Sequence, residues 1–218
     1  ELVEVEGSTD IAHTEPLNTL SLPRPDDLTR LYRVEEFEAP PLALFSETFD
    51  GEDPGWTTGF NPEDTEMDTT WDLGDPAGGP FTAPSTAFSG TNCYGTNILG
   101  DHGHGSSVWL RTPVINLTGA TEATLTMMHW VDIDHFEDRD LGSVRVLSAD
   151  TSTELGVVET GITGFNTDGW EEYSAAIPAA ALDQEVVLEF LFESDAEETD
   201  QPAAGWYLDD VRVTVPAP

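Results

Sequence analysis

Gly205-Trp206-Tyr207-Leu208-Asp209-Asp210-Val211-Arg212-Val213, near the end of the 218-residue chain, is the stretch that decides the fold. Its second half alternates apolar and other residues, which predicts a β-strand that buries one face. Neighbouring side chains of a strand point to opposite faces, so Asp209 is expected to share the face of Val211 and Val213, while Asp210 points away. One carboxylate is therefore aimed at or near the core, where an unpaired charge is costly.

A second acidic stretch, Phe45-Ser46-Glu47-Thr48-Phe49-Asp50-Gly51, is followed by Gly55-Trp56. The chain contains seven Arg and no Lys, so a metal cation is the favoured compensation for a buried acid. We expect the two acidic stretches to belong to neighbouring strands that share a calcium ion, which takes about six to eight oxygen ligands in flexible geometry. The alternative is a hydrogen-bonded acid that only caps loops.

Composition restricts the partners. The chain carries 43 acids against 7 bases, a formal net charge of −36. Such a surface repels phosphate backbones and anionic lipid, which argues against nucleic-acid binding, and favours calcium, high salt or a basic partner. No apolar run is long enough for a transmembrane helix, so we expect no membrane insertion. Cys93 is the single cysteine, which excludes an intrachain disulfide and is typical of a small buried residue.

Residues 1–41 differ from the rest of the chain. They contain prolines at 16, 23, 25, 40 and 41 and only short apolar patches. Proline prevents a long helix, and a segment of this composition cannot build its own core. The sequence thus predicts an extended N-terminal arm or linker at 1–41 and a folded domain at 42–218.

The arm begins with a partial strand pattern at Leu2, Val3 and Val5. An open β-sandwich has edge strands that accept an added strand through main-chain hydrogen bonds. We hypothesise that the arm pairs with a neighbouring subunit, so that copies self-associate head to tail into a filament or layer. The alternative is that the arm folds back onto its own sandwich.

Short strands separated by turn residues follow from Leu42 onward. The clearest inward face is Val186, Leu188, Phe190 and Phe192. The range 91–105, rich in Gly and Asn, is predicted to be a long loop. Strands without a convincing helix predict two stacked antiparallel sheets.

Five motifs, in this order, resemble the jelly-roll modules related to MAM domains and cleaved-adhesin domains of secreted bacterial proteins. They are Phe45-Ser46-Glu47-Thr48-Phe49-Asp50 with Gly55-Trp56; Trp71-Asp72-Leu73-Gly74; Ser89-Gly90-Thr91-Asn92-Cys93-Tyr94-Gly95-Thr96-Asn97; Leu110-Arg111-Thr112-Pro113-Val114-Ile115-Asn116-Leu117; and the stretch from Gly205 to Val213. The resemblance covers about residues 45–215.

The resemblance implies an all-β jelly-roll sandwich of two antiparallel sheets in an extracellular, secreted or cell-surface protein. Such modules hold calcium with acids of the first and last strands, which here are Glu47, Asp50, Asp209 and Asp210. It also implies a non-catalytic structural or adhesive role. The alternative is an accessory module that binds carbohydrate or protein for a secreted hydrolase or peptidase.

Other motifs predict little further chemistry. The acidic run from Asp132 to Asp140 lacks the glycine of an EF-hand loop, so it is either a solvated loop or a second calcium site through Asp132, Asp134 and Glu137. His102 and His104 are too few ligands for zinc by themselves. The sequence contains no Gly-x-Ser-x-Gly or His-Glu-x-x-His motif, and we expect no enzyme activity.

Six tryptophans could bind a glycan or a surface protein if their rings were exposed, but in a sandwich most are expected in the core or as loop anchors. They are Trp56, Trp71, Trp109, Trp130, Trp170 and Trp206.

Overall fold

A computed structural model describes residues 40–51, 55–62, 64, 66–133, 140–165, 169–196 and 203–217. By its internal contacts the chain divides into two units, Glu1–Pro40 and Pro41–Pro218. The predicted arm, including Leu2, Val3 and Val5, lies outside the described residues, and its role stays a prediction. Within the described ranges the second unit contains thirteen β-strands and one 3-10 turn, Ala179–Ala181.

The strands form two antiparallel sheets, which confirms the predicted all-β jelly-roll sandwich. Sheet A contains β1 (Leu42–Glu47), β3 (Trp71–Gly74), β4 (Cys93–Thr96), β7 (Thr124–Ile133), β10 (Gly164–Phe165), β11 (Glu171–Ala176) and β13 (Gly205–Val215). Sheet B contains β2 (Thr57–Phe60), β5 (Ser107–Arg111), β6 (Ile115–Asn116), β8 (Leu141–Ser148), β9 (Glu154–Ile162) and β12 (Glu185–Glu193). No helix in the described ranges has the length and hydropathy that a membrane crossing requires.

The main core lies between the sheets. The predicted inward face of β12, Val186, Leu188, Phe190 and Phe192, is buried there, as expected. Trp206 packs edge-on against Phe190 and Trp71, with ring centroids 6.0 and 5.6 Å apart. These three residues join the two sheets at the centre of the domain. Edge-to-face contacts between aromatic rings add to the stability that burial of their area already gives.

Strand β13 occupies the middle of sheet A. One of its edges pairs with β7 along most of its length, while the other pairs first with β4 and then with β1. The predicted adjacency of the first and last strands is confirmed, with Glu47 opposite Val211 and Leu42 opposite Val215. The partner changes from β4 to β1 where Asp209 and Asp210 occur.

A β-bulge at this point corrects the predicted orientation of Asp209. Asp209 pairs with Met128 and Arg212 with Thr126, so β13 holds one extra residue, and Asp210 has a φ of +48°. A bulge shifts the alternation of side chains by one. Leu208 and Val211 therefore both face the main core, whereas Asp209 lies on the opposite face and is buried there.

Three short strands were not predicted. Strand β4 falls in the range 91–105, which we expected to be a loop, and β2 and β10 lie between turn residues. Strand β4 is four residues of mixed character, Cys93-Tyr94-Gly95-Thr96, all buried because sheet A is covered on both faces. A strand buried on both faces has no alternation to detect. Cys93 itself is fully buried, as predicted.

A buried ionic network lies on the outer face of sheet B. Glu189 of β12 has no exposed surface, and Arg111 and Arg145 approach it from the strands on either side. Arg111 Nε donates to Oε2 at 2.7 Å, and Arg145 Nε donates to Oε1 at 2.8 Å. The Arg111 guanidinium also stacks on the Trp109 ring at 3.8 Å, so each charge of the network has a partner.

Candidate functional site

The terminal acid cluster comprises the four predicted calcium ligands Glu47, Asp50, Asp209 and Asp210, which lie near the end of the β1–β13 pair. Glu47 Oε1 accepts hydrogen bonds from the backbone N–H groups of Thr48 at 3.0 Å and of Phe49 at 2.8 Å. Phe49 has a φ of +60°, so this carboxylate stabilises a tight turn.

The segment 89–92, which leads into β4, joins the other three acids. Asp50 Oδ1 accepts from Thr91 N at 2.8 Å and from Asn92 N at 3.2 Å. Gly90 lies beneath this carboxyl with a φ of +56°, and a Cβ at that position would stand 1.5 Å from Asp50 Oδ2. Glycine is therefore required for the segment to approach Asp50.

Asp209 and Asp210 hold the same segment from the other side. Asp209 Oδ2 accepts from Ser89 N at 2.9 Å, and its Oδ1 accepts from Asp210 N at 2.7 Å. Asp210 Oδ1 accepts from the Ser89 hydroxyl at 3.1 Å. Burial raises the pKa of Asp209 to about 6, because desolvation of the charged form outweighs the hydrogen bonds that it accepts.

The raised pKa of Asp209 predicts a dependence of stability on pH. The folded carboxyl, with a pKa of about 6, keeps its proton to a higher pH than the unfolded one, at about 3.8. Protonation therefore favours the folded state, and this contribution is present below about pH 4 and lost as the pH rises through about 6. Asp209→Asn does not titrate, so the difference in unfolding free energy between wild type and this variant should change over that window in urea titrations with EDTA.

Asp150→Asn is the matched control for that titration. Hydrogen bonds from Ser148 and Ser152 lower the pKa of Asp150 to about 2, so its contribution should be lost only as the pH falls below about 4. A difference between wild type and Asp209→Asn that is constant between about pH 4 and 6 would contradict the assignment.

The carboxylates of the terminal acid cluster cap loops, which is the alternative that the sequence left open for this cluster. Among the described residues, no three His, Cys, Asp or Glu side chains come together as a metal-binding group. In the predicted second calcium site, Asp132 Oδ2 accepts from Ala204 N at 2.7 Å, while Asp134 and Glu137 lie outside the described residues. Calcium at either place stays a prediction.

His102 and the serines near it have structural contacts. The buried His102 ring lies with Nε2 3.6 Å from Asp140 Oδ2, and its Nδ1 is 3.0 Å from the carbonyl oxygen of Gly103. Ser106 Oγ lies 2.6 Å from Thr69 Oγ1 and bonds to Asp68 Oδ1 at 3.3 Å. These hydrogen bonds tie the loop before β5 to its neighbours and do not connect Ser106 with His102.

A second core lies on the outer face of sheet A, beneath the loop between β3 and β4. It contains Ala87, Cys93, Ile98, Ala204 and Tyr207, with Ala83, Trp130 and Trp170 packed against it. The indole Nε1 of Trp130 donates to the Thr82 carbonyl at 2.9 Å, and that of Trp170 donates to the Thr86 carbonyl at 3.1 Å. These two tryptophans are thus loop anchors, as the sequence predicted.

A surface cavity of about 570 Å³ opens beside this anchored loop. It is lined by Phe81, Thr82, Ala83, Ser85, Trp130, Val131, Asp132 and Phe165. Phe81 at the loop tip is fully exposed, and the Phe165 side chain is 61% exposed. Burial of apolar surface is the main driving force of folding, so the fully exposed Phe81 ring at this cavity marks a candidate binding surface.

A second cavity of about 360 Å³ shares the lining residues Val131 and Phe165 with the first. The first cavity lies on the outer face of sheet A with Trp130 and Asp132 of β7, whereas the second lies on the core side with His129 and Val131. The second cavity lies where β9 of sheet B meets β7, β10 and β11 of sheet A, and its other lining residues are His129, Glu159, Gly161, Ile162, Thr163, Glu171 and Tyr173. We call the first cavity the aromatic cleft.

The electrostatics of the second cavity are set by burial. Tyr173 Oη donates to Glu159 Oε2 at 3.2 Å, and burial, reinforced by Glu159, raises the pKa of Tyr173 to about 12. Burial lowers the pKa of His129 to about 4, so its imidazole is neutral at pH 7. Glu159 and Glu171 line this cavity and Asp132 lines the aromatic cleft, and neither described lining includes Lys or Arg.

The aromatic cleft was not predicted from the sequence. Its exposed rings are phenylalanines, whereas we considered only tryptophans, and β10, which carries Phe165, was not predicted. The run Pro80-Phe81-Thr82-Ala83-Pro84 was a usable signal, since a phenylalanine between prolines in a turn-rich loop has no strand or helix in which to be buried.

No protein-family model matches the sequence. Bacillopeptidase F of Bacillus subtilis (strain 168) is 26% identical over 169 residues, which are 78% of this chain and 10% of that protein. The chain therefore spans about a tenth of the length of the curated relative that it matches.

Several solved structures are similar to this chain. The apo form of a cyclase from Fischerella sp. gives a TM-score of 0.50 at 17% identity, covering 85% of this chain and 91% of that one. The K1 cleaved adhesin domain of Lys-gingipain from Porphyromonas gingivalis W83 gives 0.45 at 16% identity, covering 79% and 98%. At such identities the likeness to the cyclase shows the fold alone. A cleaved adhesin domain is thus among the similar structures, while membership of that family and the resemblance to MAM domains stay predictions.

Proposed function

We propose that this chain is a non-catalytic module of a larger extracellular protein. Through the aromatic cleft, the module attaches that protein to extracellular material. The observation that carries the proposal is the complete exposure of Phe81 at the aromatic cleft, on a domain whose other aromatic rings mostly pack in cores. The match to about a tenth of a large peptidase supports a role as one part of a longer protein.

A fusion of the chain to a soluble reporter enzyme tests this function. We expect the fusion to be depleted from solution by insoluble bacterial envelope and extracellular-matrix material, and the reporter alone to remain. Because the module is proposed to be non-catalytic, the chain by itself should release no soluble sugar or peptide from the same material. Equal depletion of fusion and reporter, or steady release of product by the chain, would refute the proposal.

We also propose that calcium stabilises the sandwich at the terminal acid cluster. The support is the complete burial of Asp209 and the convergence of Asp50, Asp209 and Asp210 on the segment 89–92. A bound cation would compensate the desolvated Asp209 carboxylate, with Glu47 as a further ligand.

Calcium is expected to raise the melting temperature of the EDTA-treated chain in low salt. Binding to the folded state alone stabilises by about 2.7 kcal/mol at a hundredfold excess over Kd. Magnesium, which demands stricter octahedral geometry, should give a smaller increase. Equal melting temperatures in EDTA and in calcium would show that the four acids only cap loops and bind no stabilising calcium.

Self-association through the arm is the other function that the sequence suggested, and it concerns residues outside the described part. We expect deletion of residues 1–40 to give a folded monomer from a parent that forms larger species in sedimentation velocity. A truncated chain that still assembles, or a parent that stays monomeric at every concentration with and without calcium, would exclude this idea.

A further inference from the structure

We propose that Asn116 is an acceptor site for an N-linked oligosaccharide, attached to its side-chain Nδ2 atom at the turn that follows β6. This inference rests on the extracellular location in the proposed function, because such glycans are added to proteins during their export. It concerns a different part of the domain from the aromatic cleft.

The sequence Asn116-Leu117-Thr118 is the acceptor motif, in which Ser or Thr follows the asparagine by two residues and the residue between them is not Pro. The chain has six asparagines, and none of the other five has Ser or Thr at that spacing. Asn116 is the last residue of β6. Residues 117–120 form the turn after it, closed by a hydrogen bond from Ala120 N to the Leu117 carbonyl at 2.9 Å.

The structure leaves the acceptor side of this motif open to solvent. Asn116 and Thr118 are exposed, whereas Leu117 between them is fully buried and fixes the motif to the main core. Gly119 follows with a φ of +82°, and a Cβ at that position would meet no described atom within 4 Å. An oligosaccharide on Asn116 would therefore extend into water without displacing part of the fold.

The amide nitrogen of Asn116 has no role in the turn. Asn116 Oδ1 accepts a hydrogen bond from Thr118 N at 2.9 Å, which an aspartate would accept equally well. Its Nδ2 has no hydrogen-bond partner among the described residues, whereas Nδ2 of Asn61 and of Asn97 donate to neighbouring oxygens. In a chain with 43 acids and six asparagines, an amide whose NH2 group is left over is better explained by modification than by folding.

An exposed apolar side chain accompanies the acceptor. Val114 is 51% exposed and stands two residues before Asn116, with the buried Ile115 between them. Side chains two residues apart along an extended segment point to the same side. The C–H groups of the first sugar can thus cover the methyl groups of Val114 and remove apolar surface from water.

The exporting cell supplies the donor and the catalyst. The donor is an oligosaccharide joined through its anomeric carbon to a polyprenyl phosphate or diphosphate, and the catalyst is a membrane-bound oligosaccharyltransferase. A bond forms between Asn116 Nδ2 and the anomeric carbon, the bond from that carbon to the phosphate oxygen breaks, and the lipid phosphate leaves with the bonding electrons. Nδ2 gives up one proton to a base of the transferase. Because Leu117 is buried in the fold, the transfer precedes the packing of this turn.

The glycan would leave the aromatic cleft accessible. The motif precedes the turn that leads into β7, which begins at Thr124, whereas Asp132 of the cleft lies near the other end of that strand. At about 3.3 Å per residue, Thr124 and Asp132 are about 26 Å apart. Modification and attachment can therefore occur on the same molecule.

Secretion of the full chain from a yeast that N-glycosylates exported proteins tests the proposal. Trypsin cleaves after Arg111 and Arg139, and the resulting peptide, 112–139, contains Asn116 as its single asparagine. We expect mass spectrometry to find an oligosaccharide on this peptide, and peptide N-glycosidase to remove it with conversion of Asn116 to Asp. The same peptide from the chain recovered from its own producing organism should also carry a glycan. An unmodified peptide from either source would overturn the proposal.

Three variants separate the motif from the turn. Asn116→Asp keeps the Oδ1 acceptor, so it should lack the glycan and have the melting temperature of the enzymatically deglycosylated wild type. Thr118→Val should abolish the modification, while Thr118→Ser should retain it because the hydroxyl group is kept. A glycan that persists in Asn116→Asp or in Thr118→Val would contradict the assignment. If the peptide is unmodified but the reporter fusion still binds extracellular material, the proposed function survives and this inference alone fails.

Discussion

Replacing Glu189 by Ala is expected to cost about 3–5 kcal/mol of the unfolding free energy. The side chain is fully buried and accepts from both Arg111 and Arg145. Its removal leaves two guanidinium groups, each only partly exposed, without their shared counter-charge. Guanidinium stays protonated in proteins, so the variant cannot escape this cost by losing a proton. Urea unfolding monitored by tryptophan fluorescence measures the loss.

Glu154→Ala is the control for Glu189→Ala. Glu154 also pairs with Arg145, at 3.6 Å, but its side chain is 45% exposed, so its removal should cost at most about 1 kcal/mol. Simultaneous replacement of Glu189, Arg111 and Arg145 by apolar residues should recover much of the stability, because no buried charge is then left unpaired. Equal losses for Glu189→Ala and Glu154→Ala would mean that the network contributes little.

Trp206→Ala is expected to destabilise the chain by about 3–5 kcal/mol, since it removes the largest side chain at the centre of the main core. Trp206 contacts Trp71 and Phe190, and its ring also fills the space above Gly142, where a Cβ would lie 2.9 Å away. Neighbours from both sheets would thus face a cavity too large for them to close.

Trp206→Phe distinguishes the packing of the ring from its polar atom. The buried Nε1 of Trp206 has no acceptor among the described residues, whereas Nε1 of Trp71 donates to the Val108 carbonyl at 3.4 Å. Trp206→Phe removes an unpaired N–H together with part of the ring, so it should cost less than Trp71→Phe, which leaves a carbonyl without its donor. The reverse order in urea unfolding would show that ring volume outweighs the hydrogen bond.

The sequence predicted strands and their inward residues well where one face of a strand is buried. It predicted them poorly where both faces or neither face is buried. The alternation in β12 and in the second half of β13 identified inward residues correctly. The sequence also indicated that the first and last strands are neighbours. It did not predict the direction of Asp209, because one extra residue at a bulge exchanges the two faces and leaves no local mark in the sequence.

The two candidate sites differ in how far the sequence predicted them. The four acids of the terminal cluster were predicted from the resemblance to jelly-roll modules; three of them meet at the segment 89–92, while their role as calcium ligands stays a prediction. The aromatic cleft was not identifiable, because Phe81, Trp130 and Phe165 are far apart in the sequence and only the pairing of β7 with β10 and the anchored loop bring them together.

The pairing of β1 with β13 determines how the domain would respond to tension. Leu42 lies opposite Val215. The segment before β1 and the segment after β13 therefore leave the sandwich at the same end of this antiparallel pair. Pulling on both ends then loads the backbone hydrogen bonds one after another, as in opening a zipper, and each is worth only about 1 kcal/mol. The opening would travel from Leu42 toward Glu47 and reach the terminal acid cluster last. Such a domain would lengthen under modest force, and the terminal acid cluster would hold until β1 has separated.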